Sequence, residues 1–198
     1  MTRTRRFPGR PPLVPARGRR CYIGPAVPDS PKLPIRVRSF APADAAACRR
    51  LYSDALIGAK LADNDTGLDM DDVRATYMAT PGGHFWVAED AATREVVGMV
   101  GVAHHESESA EIRRLRVRTD QHRKGVGSAL VETAIRFCSD RHYLKVTFDT
   151  FMERAAALKL FEKFRFKLSR AREVGGRTLL YFYLDLYTGT GTNKVAKK

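Results

Sequence analysis

The chain has 198 residues, 43% hydrophobic and 9% aromatic. That suits one ordinary α/β domain with a real core plus tails, and excludes a disordered chain throughout. No apolar run approaches the roughly 18 residues of a membrane helix, and the cysteines Cys21, Cys48 and Cys138 form no CxxC pair, so neither a disulfide framework nor a zinc site is signalled. The net charge of +13 sits mostly at the ends: residues 1–34 carry +7 and residues 188–198 carry +3, leaving +3 for the body, so basicity says little about the body's chemistry.

Residues 1–34 hold eight of the ten prolines, are Arg-rich and are poor in acids. They lack the apolar segment of a secretory signal, and their prolines oppose the amphipathic helix of a transit peptide. They are expected to be a disordered basic tail, and residues 188–198 a flexible one. Between them, residues 35–187 form the expected domain, with a reducing cytoplasm as its natural compartment. Ile35 to Arg38 alternates as a short strand. Asp44 is placed to cap a helix from Ala45 to Ile57, with Cys48, Leu51, Tyr52 and Ala55 near helical spacing. Leu61 to Leu68 reads as a loop, and Asp69 to Met78 as a second helix with acids in its first turn. Pro81-Gly82-Gly83 ends it.

The period then changes. His84 to Glu89 and Val96 to His104 are strands paired as a hairpin across Asp90 to Arg94. Ala110 to Val117 is a third run. Gly125 to Cys138 is helical, with Val126, Ala129, Leu130, Ala134 and Phe137 on one face. Tyr143 to Phe148 is a strand, and Thr150-x-x-Glu153 has the form of a capping box opening a helix to about Phe164. Lys167 to Arg172 and Thr178 to Leu186 flank a Gly175-Gly176 turn. The order β-α-α-β-β-β-α-β-α-β-β describes an α/β protein, a mixed sheet with helices on its faces.

One stretch carries chemistry: His122-Arg123-Lys124-Gly125-Val126-Gly127-Ser128, between a strand and a helix. The first amides of a helix lack internal partners and lie at the positive end of its dipole. Glycine lets an anion approach them, and Arg123 and Lys124 add charge, so the stretch suits a phosphate or pyrophosphate. A Rossmann fingerprint would need a glycine where Leu130 stands, and a P-loop would need Lys after the glycine rather than before it. The plain alternative is a tight, glycine-permitted entry into a helix.

With that spacing and element order, the chain resembles the GNAT superfamily of N-acetyltransferases over about residues 35–187. The family's acetyl-CoA signature, Q/R-x-x-G-x-G/A, matches His122 to Gly127, with His122 where Gln or Arg is usual; imidazole can still donate a hydrogen bond. The resemblance implies a central, mostly antiparallel sheet flanked by helices, whose fourth and fifth strands splay apart. It implies acetyl-CoA as cosubstrate without a metal. The pantetheine arm would pair with the backbone of Leu115, Arg116 and Val117, and the pyrophosphate would rest on the amides from Arg123 to Ser128.

The reaction the resemblance implies is direct attack of a primary amine on the thioester. Such an amine has a pKa near ~10 and is mostly charged at neutral pH, so a base helps. Glu111 stands where histone-type members carry their base glutamate; a solvated carboxylate paired with Arg113 is the alternative reading. His104, His105 and Glu106 are second choices. The leaving thiolate usually takes a proton from a tyrosine within N-x-x-A-x-x-L-Y-E-K-x-G-F. Here Arg154 replaces Asn, Phe161 replaces Tyr and Arg165 replaces Gly. Phe161 has no proton to give, which predicts a slower enzyme, or one using water or another tyrosine.

Phe85 and Trp86 read as core. Tyr181 and Tyr183 share one face of the last strand, as packing or as cleft lining. Asp63, Asp65, Asp69, Asp71 and Asp72 could attract a cationic acceptor or could simply begin a solvated helix. The partners expected are acetyl-CoA and an amine acceptor, no membrane, and nucleic acid only through the basic tails; a homodimer stays open. The rival reading is a catalytically weak GNAT-fold protein that binds CoA, or associates with nucleic acid or ribosomes through those tails.

Overall fold

The computed structural model describes residues 34–54, 65–106 and 108–187. Its strands are β1 (Ile35–Ser39), β2 (His84–Asp90), β3 (Val96–His104), β4 (Ser109–Val117), β5 (Lys145–Phe151), β6 (Lys167–Val174) and β7 (Arg177–Asp185). The helices are α1 (Ala45–Asp54), α2 (Val126–Asp140) and α3 (Ala155–Lys163). The strands form one seven-stranded sheet in the order β1-β2-β3-β4-β5-β7-β6. Every neighbouring pair is antiparallel except β4 and β5. A parallel pair needs a crossover, and α2 supplies it.

Both faces of the sheet are covered over β2 and β3, and the sequences of those strands follow from that; β6, at the far edge, is exposed along most of its length. The middle of β2 and of β3 is buried residue after residue, so HFWVAED and VVGMVGVAH read as near-continuous apolar runs rather than alternating ones. On one face, Val126, Leu130, Val131, Ala134, Ile135 and Cys138 of α2 pack with Trp86, Val146, Phe148 and Phe161. On the other, α1 and residues 68–78 close over Phe85, Val87 and Met99 through Cys48, Leu51, Val73 and Tyr77.

The order of elements follows the sequence reading, with local differences. The expected helix over Asp69 to Met78 is two short pieces, a 3-10 turn at Leu68–Met70 and a π turn at Arg74–Met78. The Asp72 carboxylate accepts the Ala75 amide at 2.8 Å and restarts the chain there; an Asx cap interrupts a helix in this way. Asp44 does not cap α1 in the expected sense. Its carboxylate reaches back to the Ala41 amide at 2.8 Å and is held by Arg38 at 2.7 and 2.9 Å, closing a 3-10 turn before the helix. The expected capping box at Thr150 is absent: Thr150 is a buried β5 residue opposite Leu180, and Glu153 pairs with Arg177. Extending β5 along β7 to Phe151 buries more than a local cap, worth about 1 kcal/mol, could repay. Residues 55–57 of the expected first helix, most of the 61–68 loop, and both tails lie outside the described residues.

Candidate active site

Strands β4 and β5 touch along only three registered pairs, Ser109↔Lys145, Ala110↔Val146 and Glu111↔Thr147. Past Glu111 they part. β4 stays on β3 as far as Val117, and β5 stays on β7 as far as Phe151. A V-shaped gap results, with Glu111 and Thr147 at its vertex. In the β3–β4 ladder Met99 faces Arg116 while Gly101 faces Arg113, so β4 carries one extra residue there. Arg114 adopts a left-handed φ of 53° at this bulge. The bulge resets the alternation. Ile112, Leu115 and Val117 all turn to the α2 face, which leaves Glu111, Arg113, Arg114 and Arg116 for the cleft side.

The backbone of β4 can be sorted in the same way. The Arg118 amide donates to Val97 O at 2.8 Å. Alternation along an antiparallel ladder then turns the Arg116 backbone to β3 and that of Leu115 and Val117 into the gap. Of the three residues expected to pair with a pantetheine arm, Leu115 and Val117 therefore face the gap with their backbone, and Arg116 with its side chain. The two carbonyls already have donors: Arg116 Nη1 lies 2.8 Å from Leu115 O, and His122 Nε2 lies 2.8 Å from Val117 O.

Two of the acids in the 63–72 stretch are committed to Arg114 instead of being free for a cationic acceptor. The guanidinium donates to Asp65 at 2.8 and 2.7 Å and to Asp69 at 2.7 and 2.6 Å. Tyr52 stacks under it and bonds Asp65, and Tyr77 bonds Asp69. Burial pushes both carboxyls up, but Arg114 outweighs it and holds them below the usual carboxylate range. This knot ties residues 65–78 onto the bulge. Asp71 and Asp72 stay on the surface, and Asp63 lies outside the described residues.

The cleft in the V has a volume of about 380 Å³. Glu111, Arg116, Asp149, Arg154 and Tyr181 line it. Glu111 is paired with Arg113, as the alternative reading of the sequence had it, and still borders the cleft. Asp149 faces it from β5; burial, then the negative charge of Glu111, raises its pKa above the usual carboxylate value. An adjoining recess of about 690 Å³ shares Glu111, Asp149 and Tyr181 and adds His105 and Tyr183. So Tyr181 and Tyr183 are cleft residues, braced by Arg170 and by Lys145 and Lys167. Of the expected second-choice bases, His105 reaches this recess, whereas His104 turns to Tyr143 Oη at 3.3 Å. Asp149 was not among the sequence candidates. The alternation of YLKVTFDTF, with Val146 and Phe148 inward, was the signal that could have placed it.

At the wide end of the V, the loop after β4 enters α2. Gly125 caps the helix at φ 85°, which favours glycine. Arg123 also has a positive φ, of 64°, and it and Lys124 stand exposed. Val126, Gly127 and Ser128 open the helix, so their amides lack a preceding turn to bond to. Gly127 has a packing role as well: a Cβ there would lie 3.2 Å from Leu160 Cδ2 of α3.

A family model described as the acetyltransferase (GNAT) family matches residues 47–166, from α1 past the end of α3. The chain belongs to the GNAT family. It is 34% identical to human N-acetyltransferase 8 over 104 residues, 50% of this chain and 45% of that protein. It is 35% identical to rat N-acetylaspartate synthetase over 127 residues, 64% of this chain and 42% of that protein. The matched regions thus span less than half the length of these relatives. Among solved structures, a GNAT-family acetyltransferase of Staphylococcus aureus Mu50 superposes with a TM-score of 0.68 at 14% identity, covering 77% of this chain and 99% of the other. For yncA of Salmonella typhimurium, solved with its cofactor acetyl-CoA, the TM-score is 0.67 at 20% identity, over 81% and 99%. At such identities the likeness is one of fold. Against the GNAT pattern, Phe161 has become core: it is fully buried, stacked 3.5 Å from Phe148 at 10°, and edge-on to Phe166.

Proposed function

We propose that this GNAT chain transfers an acetyl group from acetyl-CoA to a primary amine. The observation that carries the reading is the β4–β5 gap, with a carboxylate at its vertex and a glycine-opened helix N-terminus at its mouth. The pyrophosphate would rest on the amides from Arg123 to Ser128, with Arg123 and Lys124 adding charge. The pantetheine amides would pair with the gap-facing backbone of Leu115 and Val117, taking over the carbonyls that Arg116 and His122 now hold. His122 is then a gate on that carbonyl as well as the first residue of the signature.

Glu111 takes the proton that the ammonium must lose before its nitrogen can attack. The nitrogen forms the new C–N bond and sheds its second proton to solvent as the C–S bond breaks, and CoA leaves as a thiolate, which is tolerable because a thiol pKa is only about 8.5. Phe161 cannot protonate it; among the described residues Tyr181 is the phenol that lines both the cleft and its adjoining recess. Asp149 is the rival base, favoured by its burial and then by its crowding against Glu111. The relatives named N-acetylaspartate synthetase make aspartate one of the amines to assay.

Calorimetry with acetyl-CoA tests the reading, run on the native chain and on Gly125→Glu and Gly127→Glu. The native chain should bind and both variants should lose binding; a native chain that fails to bind sinks the proposal. Glu111→Gln should lower kcat by about 10²- to 10⁴-fold. If Asp149→Asn does so and Glu111→Gln does not, the base is Asp149.

A further inference from the structure

Arg116 is the misfit of the cleft. Its side chain is half-buried; among the described residues its Nε is buried without a hydrogen-bond partner, and its one side-chain bond is to the neighbouring Leu115 carbonyl. The other half-buried arginines of these faces are matched: Arg38 by Asp44 and Glu89, Arg114 by Asp65 and Asp69. No carboxylate among the described residues lies in ion-pair range of Arg116. Burial, then the positive charges of Arg154 and Arg114, bring its pKa down to about 10. Arg154 stands on the opposite lip of the gap, where β5 leads into α3, and its side chain likewise has no hydrogen bond or ion pair among the described residues. Burial, then Arg177, lowers its pKa too. Asp65 offsets both charges only from a distance; two guanidinium groups without an ion pair crowding one cleft oppose folding, and such an arrangement persists where a bound anion completes it.

We propose that Arg116 and Arg154 bind a carboxylate carried by the amine acceptor, so that the substrate is a primary amine of amino-acid size with a free carboxylate. The proposal rests on reading the cleft as the acetyl-transfer site. The planar fork of a guanidinium matches a carboxylate or a phosphate. The carboxylate is the better fit here because the Arg116 side chain lies on the Glu111 side of the sheet. The loop that opens α2 brings Arg123 and Lys124 for phosphates of its own. With the acceptor's carboxylate held at the arginines, its amine can reach toward the vertex.

The test is calorimetry of two probes, succinate added in the presence of CoA, and acetyl-CoA alone, on the native chain, Arg116→Met and Arg154→Gln. The native chain should bind succinate. Each variant should weaken it by about tenfold to a hundredfold, the scale of a lost charge-assisted hydrogen bond. Acetyl-CoA affinity should fall by no more than about threefold in either variant, well under the effect of one such bond; Arg116→Met also frees the Leu115 carbonyl for the pantetheine. Arg116→Met should also melt at or above the native temperature, because it removes an unpaired buried charge. Native protein that binds acetyl-CoA but not succinate overturns the proposal and leaves the transferase reading intact. Variants that lose acetyl-CoA and keep succinate overturn it in favour of CoA phosphates. A fall in melting temperature of more than about 5 °C for Arg116→Met, over 1 kcal/mol for a domain of this size, marks a structural arginine and overturns it as well. Failure of the native chain to bind acetyl-CoA strikes the transferase reading itself.

Discussion

Arg114→Ala is expected to loosen the wall of the cleft. Arg114 makes four charge-assisted hydrogen bonds, to both oxygens of Asp65 and both oxygens of Asp69. Its side chain keeps 15% of its accessibility, and its partners keep 21% and 15%. Truncation leaves two carboxylates close together and unpaired. Breaking a fully buried pair from one side costs about 3–5 kcal/mol, and the residual exposure reduces that to about 2–4 kcal/mol by solvent screening. A domain of this size moves by about 2–4 °C per kcal/mol, so the melting temperature should drop by about 5–15 °C. The pH dependence carries a second signature. Asp65 and Asp69 have pKa values below their unfolded ones. Their stabilisation is therefore fully present above the unfolded value of about 3.9 and is lost as pH falls through the folded values. The difference between native and variant should be greatest near neutrality and shrink below about pH 4. Circular dichroism melts at pH 7 and pH 3.5 measure both. Arg114→Gly separates side chain from backbone, because it relieves the left-handed φ while losing the same bonds; it should destabilise by about 1 kcal/mol less than alanine. A shift below about 2 °C for Arg114→Ala at neutral pH would refute the clamp.

Gly125→Ala should cost about 1–2 kcal/mol, seen as a melting-temperature drop, because φ is 85° there. Gly127→Ala should be close to neutral: the gain in helix propensity, up to about 1 kcal/mol, offsets a Cβ contact with the mobile tip of Leu160. Equal losses at the two positions would contradict this. His84 sits against Trp86 and Phe137 and bonds Ser39. Burial, then Arg141, lowers its pKa, so the unfolded chain binds the proton more readily than the folded one. Stability should fall as pH drops below about 6.5 and level off below the folded pKa. Melts of His84→Gln between pH 7.5 and 5 should show a shallower fall than the native chain, and an identical slope would remove His84 as the cause.

Much of the architecture was legible because it rests on local period. The alternation of IRVR, the apolar runs of β2 and β3, and the 3.6-residue stripe of α2 depend on which face each residue must bury. The glycine turn into α2 was legible for the same reason: a strand, two glycines and a helix start are neighbours in the chain. Other features needed partners brought from far away in sequence. Thr150 has the local form of a helix cap, yet the long β5–β7 ladder claims it as strand. Asp65 and Asp69 look like free acids until the bulge on β4 turns Arg114 toward them. Phe161 reads as a lost proton donor, and the tertiary packing shows what replaced the donor, a ring stacked on Phe148. The sequence by itself determined that a GNAT-type sheet would form and where its glycine-opened turn into α2 would lie, since both are written in local pattern. Only the tertiary structure decided which charges cancel and which, among the described residues, stay without an ion pair, leaving Arg116 and Arg154 across the gap. Ion pairing depends on distances between segments that periodicity does not encode.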